Sequence, residues 1–226
     1  LLKMHQKKSK KILLYFFLFL IVGTLNNKNL AKINYLEIKK ITIIGLEEKK
    51  NQEIKKKLNF LKSTNIFFLN EVKIIETLEA DSLIEDYSIF KMYPSAIKIK
   101  IIETNFLANV FKDGDNFLLG SNGKLTKSIN LKKNIPLIIG KFSVNNFFEL
   151  KKIIDQTDLD FDQIEKLLYF ESGRWDIQMY SGVLIKLPRE KIKTALELSN
   201  RLILKEKIQF KSIIDLRQNN QVILSE

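Results

Sequence analysis

The sequence predicts an α+β protein in three parts: one apolar helix near the amino terminus, a small β-α-α-β-β unit, and a second mixed α/β unit that ends on an exposed β-strand. Three observations predict it. A single long apolar run, Ile12 to Leu25, stands behind Lys3, Lys7, Lys8, Lys10 and Lys11. Between Lys32 and Lys127, alternating and helical apolar patterns follow in the order strand, helix, helix, strand, strand. From Trp175 the period of two returns, interrupted by one helical pattern.

The apolar run comes first. Fourteen residues at about 1.5 Å each reach only about 21 Å across a hydrocarbon core of roughly 30 Å. The exit, Val22-Gly23-Thr24-Leu25-Asn26-Asn27, lacks a good small-x-small cleavage site, and Lys10 and Lys11 can snorkel to lengthen the span. An uncleaved anchor is therefore expected over 12–25 behind a cytoplasmic tail of residues 1–11, with a cleaved signal and a buried soluble helix as alternatives. The lysine cluster keeps the amino terminus inside and sends the carboxyl terminus out, although Lys28 and Lys32 weaken that bias.

Composition fits a location beyond the membrane. The chain has 226 residues and no cysteine, so its fold rests on an apolar core without disulfides. Its net charge of +12 invites a nucleic-acid reading, but only four of the 38 basic residues are arginine and the lysines are not interleaved with aromatics. No nucleic-acid partner is expected. The sole histidine, His5, lies in the lysine cluster, and no phosphate-cradling glycine loop or nucleophile elbow occurs. The run Asp155, Asp158, Asp160, Asp162 lacks the glycine and closing glutamate of a calcium loop. No enzyme, cofactor, metal or small-molecule substrate is expected.

In the first unit, Tyr35 to Ile38 and Ile41 to Ile44 suggest a strand stopped by Gly45. Asn51 is the expected cap of a helix with Ile54, Leu58 and Leu61 inward. Asn70 is expected to cap a second, with Val72, Ile75 and Leu78 inward. Two strands follow, Ile84 to Met92 and Ala96 to Ile102, joined at Tyr93-Pro94-Ser95. In Ile97-Lys98-Ile99-Lys100-Ile101 one face is buried and the other wet.

This order, with the glycine after Ile41 to Ile44 and the run from Met92-Tyr93-Pro94 to Glu103, resembles a POTRA domain. Joined to a short tail and a single anchor, it resembles the FtsQ/DivIB family of bacterial cell-division proteins. Departures occur at Thr104 and Phe106, where the family has a basic residue and a proline. Gly120-Ser121-Asn122-Gly123 likewise lacks the family's aspartate.

The second unit is placed at 128–226, after a first domain at 32–127. Asn134 to Gly140 resembles the family's entry strand. Val144 to Ile154 is a helix with Phe147, Phe148, Leu150, Ile153 and Ile154 inward, and Leu167 to Phe170 a buried strand. Arg174-Trp175, the alternation to Tyr180, and the Ser181-Gly182 turn into Val183 to Leu187 resemble the family's hairpin. Arg174 beside Trp175 is read either as a recognition site or as a stacking pair. Pro188 opens a helix from Arg189 to Leu204. Two strands close the chain, Phe210 to Arg217 and Gln221 to Leu224; the aspartate-leucine-arginine run Asp215-Leu216-Arg217 resembles the family's ending, with Gln218 and Asn219-Asn220 in place of an aromatic residue and a glycine.

The resemblance implies a non-enzymatic divisome scaffold, a single-pass protein of the inner membrane at the division septum. It would link early and late division proteins and bind FtsB- and FtsL-type partners in the periplasm. A POTRA-bearing component of protein transport or outer-membrane assembly is the alternative, but the chain after Thr126 has too few strands for a barrel. Nothing is left to cover a terminal strand on its outer side, so Asn220 to Leu224 is expected to accept a partner strand. The expected partner-binding residues are Arg174, Arg217, Gln218, Asn219, Asn220, Gln221, Val222, Ile223 and Leu224.

Overall fold

The structure, a computed structural model, describes residues 4–25, 36–206, 212–218 and 221–225. It divides into two compact units, 1–80 with 87–101 and 81–86 with 102–226.

Helix α1, Met4–Leu25, carries the apolar run. No helix among the described residues is long and apolar enough to cross a membrane. The reason lies in the sequence: any long window ending at Leu25 takes in Lys8, Lys10 and Lys11. The apolar side chains from Ile12 to Val22 are all exposed.

The first unit has the expected element order: β1 (Lys40–Ile44), α2 (Glu48–Lys57), α3 (Glu71–Glu79), β2 (Ile84–Met92) and β3 (Ala96–Glu103). β3 lies between β1 and β2, and β1 runs parallel to it. Ile97, Ile99 and Ile101 face the core and the lysines between them face water; each buried isoleucine contributes roughly 1.5–3 kcal/mol. Gly45 holds φ at +123°, and a Cβ there would overlap the Ile101 carbonyl, so only glycine lets the chain turn this close to β3.

Three local expectations are corrected. Residues 36–38 precede the strand; Glu37 makes an isolated bridge to Asn65 instead. Asn51 is no cap: it lies inside α2, buried, where its Nδ2 donates to the Leu46 carbonyl (2.8 Å) and its Oδ1 accepts from the Leu46 amide (3.4 Å). It closes the loop before the helix. Asn70 does cap α3, accepting from the Val72 amide at 3.0 Å, but Ile74 and Leu78 are the buried positions and Val72 is exposed.

Among the described residues the second unit has nine strands: β4 (Phe106–Lys112), β5 (Asp115–Gly120), β6 (Leu125–Ser128), β7 (Leu137–Ile139), β8 (Ile164–Tyr169), β9 (Trp175–Met179), β10 (Leu184–Lys186), β11 (Ile213–Asp215) and β12 (Ile223–Ser225). They form an open sheet in the order β12-β11-β10-β9-β8-β7-β4-β5-β6. Helices α4 (Val144–Ile154) and α5 (Ile192–Glu206) pack beside one another on one core with Trp175, Ile177, Ile185 and Ile214. Trp175 sits against Tyr169 and Phe142 as a core residue. At Gly140, φ is +113° and a Cβ would overlap the Tyr169 carbonyl.

The boundary expected at 127/128 falls instead at 101/102, because β4, β5 and β6 join the second sheet. Buried Asn109 of β4 donates to the carbonyls of Lys132 (2.8 Å) and Ile135 (3.1 Å) and accepts from the Lys132 amide (2.8 Å). These bonds seat β7 parallel to β4. Residues 81–86 belong to this unit through Asn122, which donates to the carbonyls of Ser82 (3.0 Å) and Ile84 (2.9 Å), and through Glu85, which accepts from Thr104 and Ser121. Helix α5 starts at Ile192 rather than Arg189, since Lys191 holds φ at +56°, a conformation that cannot continue a right-handed helix.

Candidate functional site

Among the described residues, β12 pairs antiparallel with β11 alone and forms one edge of the large sheet. The strand covers Ile223–Ser225, later than the expected Asn220 to Leu224. β10 and β11 are parallel; Leu184 donates its amide to the Ser212 carbonyl and Leu216 donates to that of Lys186. Alternation along β11 then aims Ile214 at β10 and Ile213 and Asp215 at β12. Ile213 is opposite Ser225 and Asp215 opposite Ile223, so Ile223 and Ser225 close the ladder. The amide and carbonyl of Leu224 point away from the sheet.

Two rows of side chains run across these strands. Ile177, Ile185, Ile214 and Leu224 share one row. The first three are fully buried, whereas Leu224 is 46% exposed: the apolar row runs to the edge and is only half covered there. The other row is Asp176, Lys186, Asp215 and Ile223. Arg174 and Arg217 each stand two residues from an aspartate of this row and so share its face.

Both arginines are held from within. Arg174 Nε donates to Asp176 Oδ1 at 3.1 Å, and its guanidinium lies 4.3 Å from the centre of the Phe170 ring. Of the two readings of Arg174, the stacking pair is the contact present, on Phe170 rather than Trp175. Arg217 Nε donates to both Asp215 oxygens, at 2.8 and 2.9 Å, and its amide donates to Oδ1 at 3.1 Å. The two carboxyls shift in opposite directions. Burial pushes Asp176 up, against the opposing pull of Arg174 and a weaker one from Arg217. Hydrogen bonds from Arg217 hold Asp215 below the ordinary carboxylate range. Arg217 thus acts on both acids, and the two arginines, 43 residues apart in sequence, belong to one charge cluster.

Beside this edge lies a groove of about 250 Å³, walled by Glu190, Lys191, Thr194 and Leu198 on one side and by Leu216, Gln218, Gln221 and Val222 on the other. The structure therefore brings Gln218, Gln221 and Val222 to the groove, Ile223 and Leu224 to the edge, and Arg174 and Arg217 to the adjoining face. Asn219 and Asn220 lie outside the described residues. The arrangement offers main-chain hydrogen bonds, an apolar flank and charge, which suits recognition of a peptide segment. Among the described residues no group of His, Cys, Asp or Glu could hold a metal ion. Asp160 caps the short turn Phe161–Gln163 and Asp155 pairs with Lys151, so these members of the acidic run have structural partners.

Sequence reasoning missed Asp176 and Asp215 as the groups that orient the arginines. The spacing of two residues between each arginine and its aspartate, at period two, was a usable signal. The far wall of the groove had none, since α5 reaches it only through the parallel crossover from β10 to β11.

Residues 36–104 match the POTRA domain, FtsQ-type, and residues 108–217 match the C-terminal region of cell division protein FtsQ/DivIB. The second match ends at Arg217, before β12. The cell division protein DivIB of Clostridium botulinum (strain Hall) is 31% identical over 138 residues, 61% of this chain and 52% of that protein. The cell division protein FtsQ of Rickettsia prowazekii is 24% identical over 194 residues, 84% of this chain and 72% of that protein. The chain spans about half the length of the clostridial relatives it matches. The solved major extracytoplasmic domain of DivIB from Geobacillus stearothermophilus has a TM-score of 0.34 at 15% identity, covering 46% of this chain and 96% of that one.

Proposed function

This chain belongs to the FtsQ/DivIB family of cell-division proteins, and from that premise we propose that it is a non-catalytic scaffold of the division machinery. Its anchor is α1 with residues 12–25 in the inner membrane, its amino terminus is cytoplasmic, and its two folded units stand in the periplasm at the septum. Two features support this arrangement: the apolar side chains of α1 are all exposed from Ile12 to Val22, and Lys10 and Lys11 at their start can reach the headgroups. The first unit helps to place the protein at the division site. The second binds FtsB- and FtsL-type single-span partners.

The observation that carries the partner reading is the edge of β12, open among the described residues, with Leu224 directing its backbone groups away from β11 beside a groove and a charged face. A partner segment adds as a further strand, its main chain completing the ladder and its side chains entering the groove. The test is depletion of the protein with complementation by the full chain or by a chain ending at Gln218. Depleted cells are expected to filament. The full chain restores division and co-purifies the FtsB- and FtsL-type proteins; the shortened chain does neither, although it reaches the membrane. Normal division on depletion, or co-purification by the shortened chain, would refute the proposal. Protease added to spheroplasts should degrade everything after about residue 26.

A further inference from the structure

We propose that the aromatic tip of the first unit docks on the anionic lipid surface of the membrane from which the chain emerges; this rests on the anchored reading above. Phe67 and Tyr93 stack in the open with ring centres 5.1 Å apart, and Phe68 beside them is 83% exposed. Exposed aromatics on a soluble face are costly, whereas at a bilayer interface their rings occupy the headgroup level.

The tip lies where the tether enters the domain. The Ile66 amide donates to the Leu36 carbonyl at 2.9 Å, Glu37 bridges Asn65, and the amides of Lys39 and Lys40 donate to the Ser95 carbonyl in the turn that carries Tyr93. Residues 26–35 separate Leu25 from Leu36 and reach at most about 40 Å fully extended. An anchored α1 therefore keeps this end of the domain near the bilayer. Charge favours the same partner: Lys39 and Lys40, bonded to the turn that carries Tyr93, are exposed, as is Lys62. Basic residues are drawn to an anionic leaflet, and salt screens the attraction. Exposed aromatic side chains together with lysines are the composition of an interfacial contact.

The chain has no cysteine, so single-cysteine labelling of the full chain tests this directly. Ser63→Cys beside the tip, Ile129→Cys on the second unit (92% exposed) and Leu20→Cys in α1 each carry an environment-sensitive fluorophore. The probes are vesicles of phosphatidylethanolamine with about one quarter phosphatidylglycerol, and vesicles of phosphatidylcholine alone. In anionic vesicles, iodide quenching at position 63 should be at least about threefold weaker than at position 129. About 0.5 M KCl, phosphatidylcholine, or the pair Phe67→Ser and Phe68→Ser should abolish the difference. Equal quenching at 63 and 129 in anionic vesicles overturns the proposal. So does protection that persists in phosphatidylcholine, which would indicate a protein contact, or protection that rises with protein density, which would indicate a second copy. The Leu20 label separates the two readings. If it is accessible to iodide, the anchor fails; if it is protected while position 63 is not, only the docking fails.

Discussion

Leu224→Pro is the perturbation that isolates strand addition at β12. The ladder to β11 is closed by Ile223 and Ser225, so proline at 224 removes an amide that faces outward and leaves the fold's own bonds intact. One hydrogen bond to an added strand is worth about 0.5–1.5 kcal/mol net, which converts to a roughly 2- to 13-fold rise in Kd. Losing the leucine side chain, itself half-exposed, adds a second effect. Leu224→Ala measures that part alone, and the difference between the two variants belongs to the backbone donor. The assay is isothermal titration of the full chain with a synthetic segment of the FtsB-type partner, with thermal unfolding as a check on the fold. Leu224→Pro should bind more weakly than Leu224→Ala by the stated factor while unfolding at a similar temperature; Ile223→Pro, which cuts the β11 ladder, should unfold earlier. Equal affinity of the proline and alanine variants, both folded, refutes the reasoning, as does a stability loss at Leu224→Pro as large as that at Ile223→Pro.

Phe147→Ala should cost about 3–5 kcal/mol in urea unfolding, because Phe147 is fully buried in the core shared by α4 and the large sheet; a loss below about 1 kcal/mol would contradict that packing. Asn51→Ala should cost about 1–3 kcal/mol by stranding the Leu46 amide and carbonyl, with faster hydrogen exchange in the loop before α2, and unchanged exchange there would show that the side chain does not hold the loop. Asp215 has a folded pKa below its unfolded one, so its contribution is present above about pH 4 and is lost as pH falls through the folded value. The stability gap between the wild type and Asp215→Asn should therefore narrow from pH 6 to pH 3, and a gap independent of pH sinks the Arg217 clamp. Asp176 runs the other way: its raised pKa favours folding below the unfolded value, and that contribution fades as pH rises through the folded one. Carboxyl carbon shifts followed by NMR should place the midpoint of Asp176 above that of Asp215.

Local signals carried much of the chain. The alternation from Ile97 to Ile101, the Asn70 cap, helix α4 from Val144 and the hairpin after Trp175 were legible because each is decided within a few residues, by which side chains seek water and which backbone angles a residue tolerates. Asn51 misled because a residue suited to capping also satisfies a loop from inside a helix, and only the buried contact with Leu46 distinguishes the two. The assignment of β4 to β6 to the second sheet depended on Asn109 meeting carbonyls 23 and 26 residues away. That β12 lies at one end of the sheet is a matter of strand order. That Leu224, rather than Ile223, directs its amide outward followed from the parallel register of β10 and β11, and the pairing of Arg174 and Arg217 with one acidic pair followed from the same sheet order. Period and capping are properties of neighbours in sequence; register, strand order and shared charge are set by which distant surfaces bury each other, and those were decided only when the chain closed on its core.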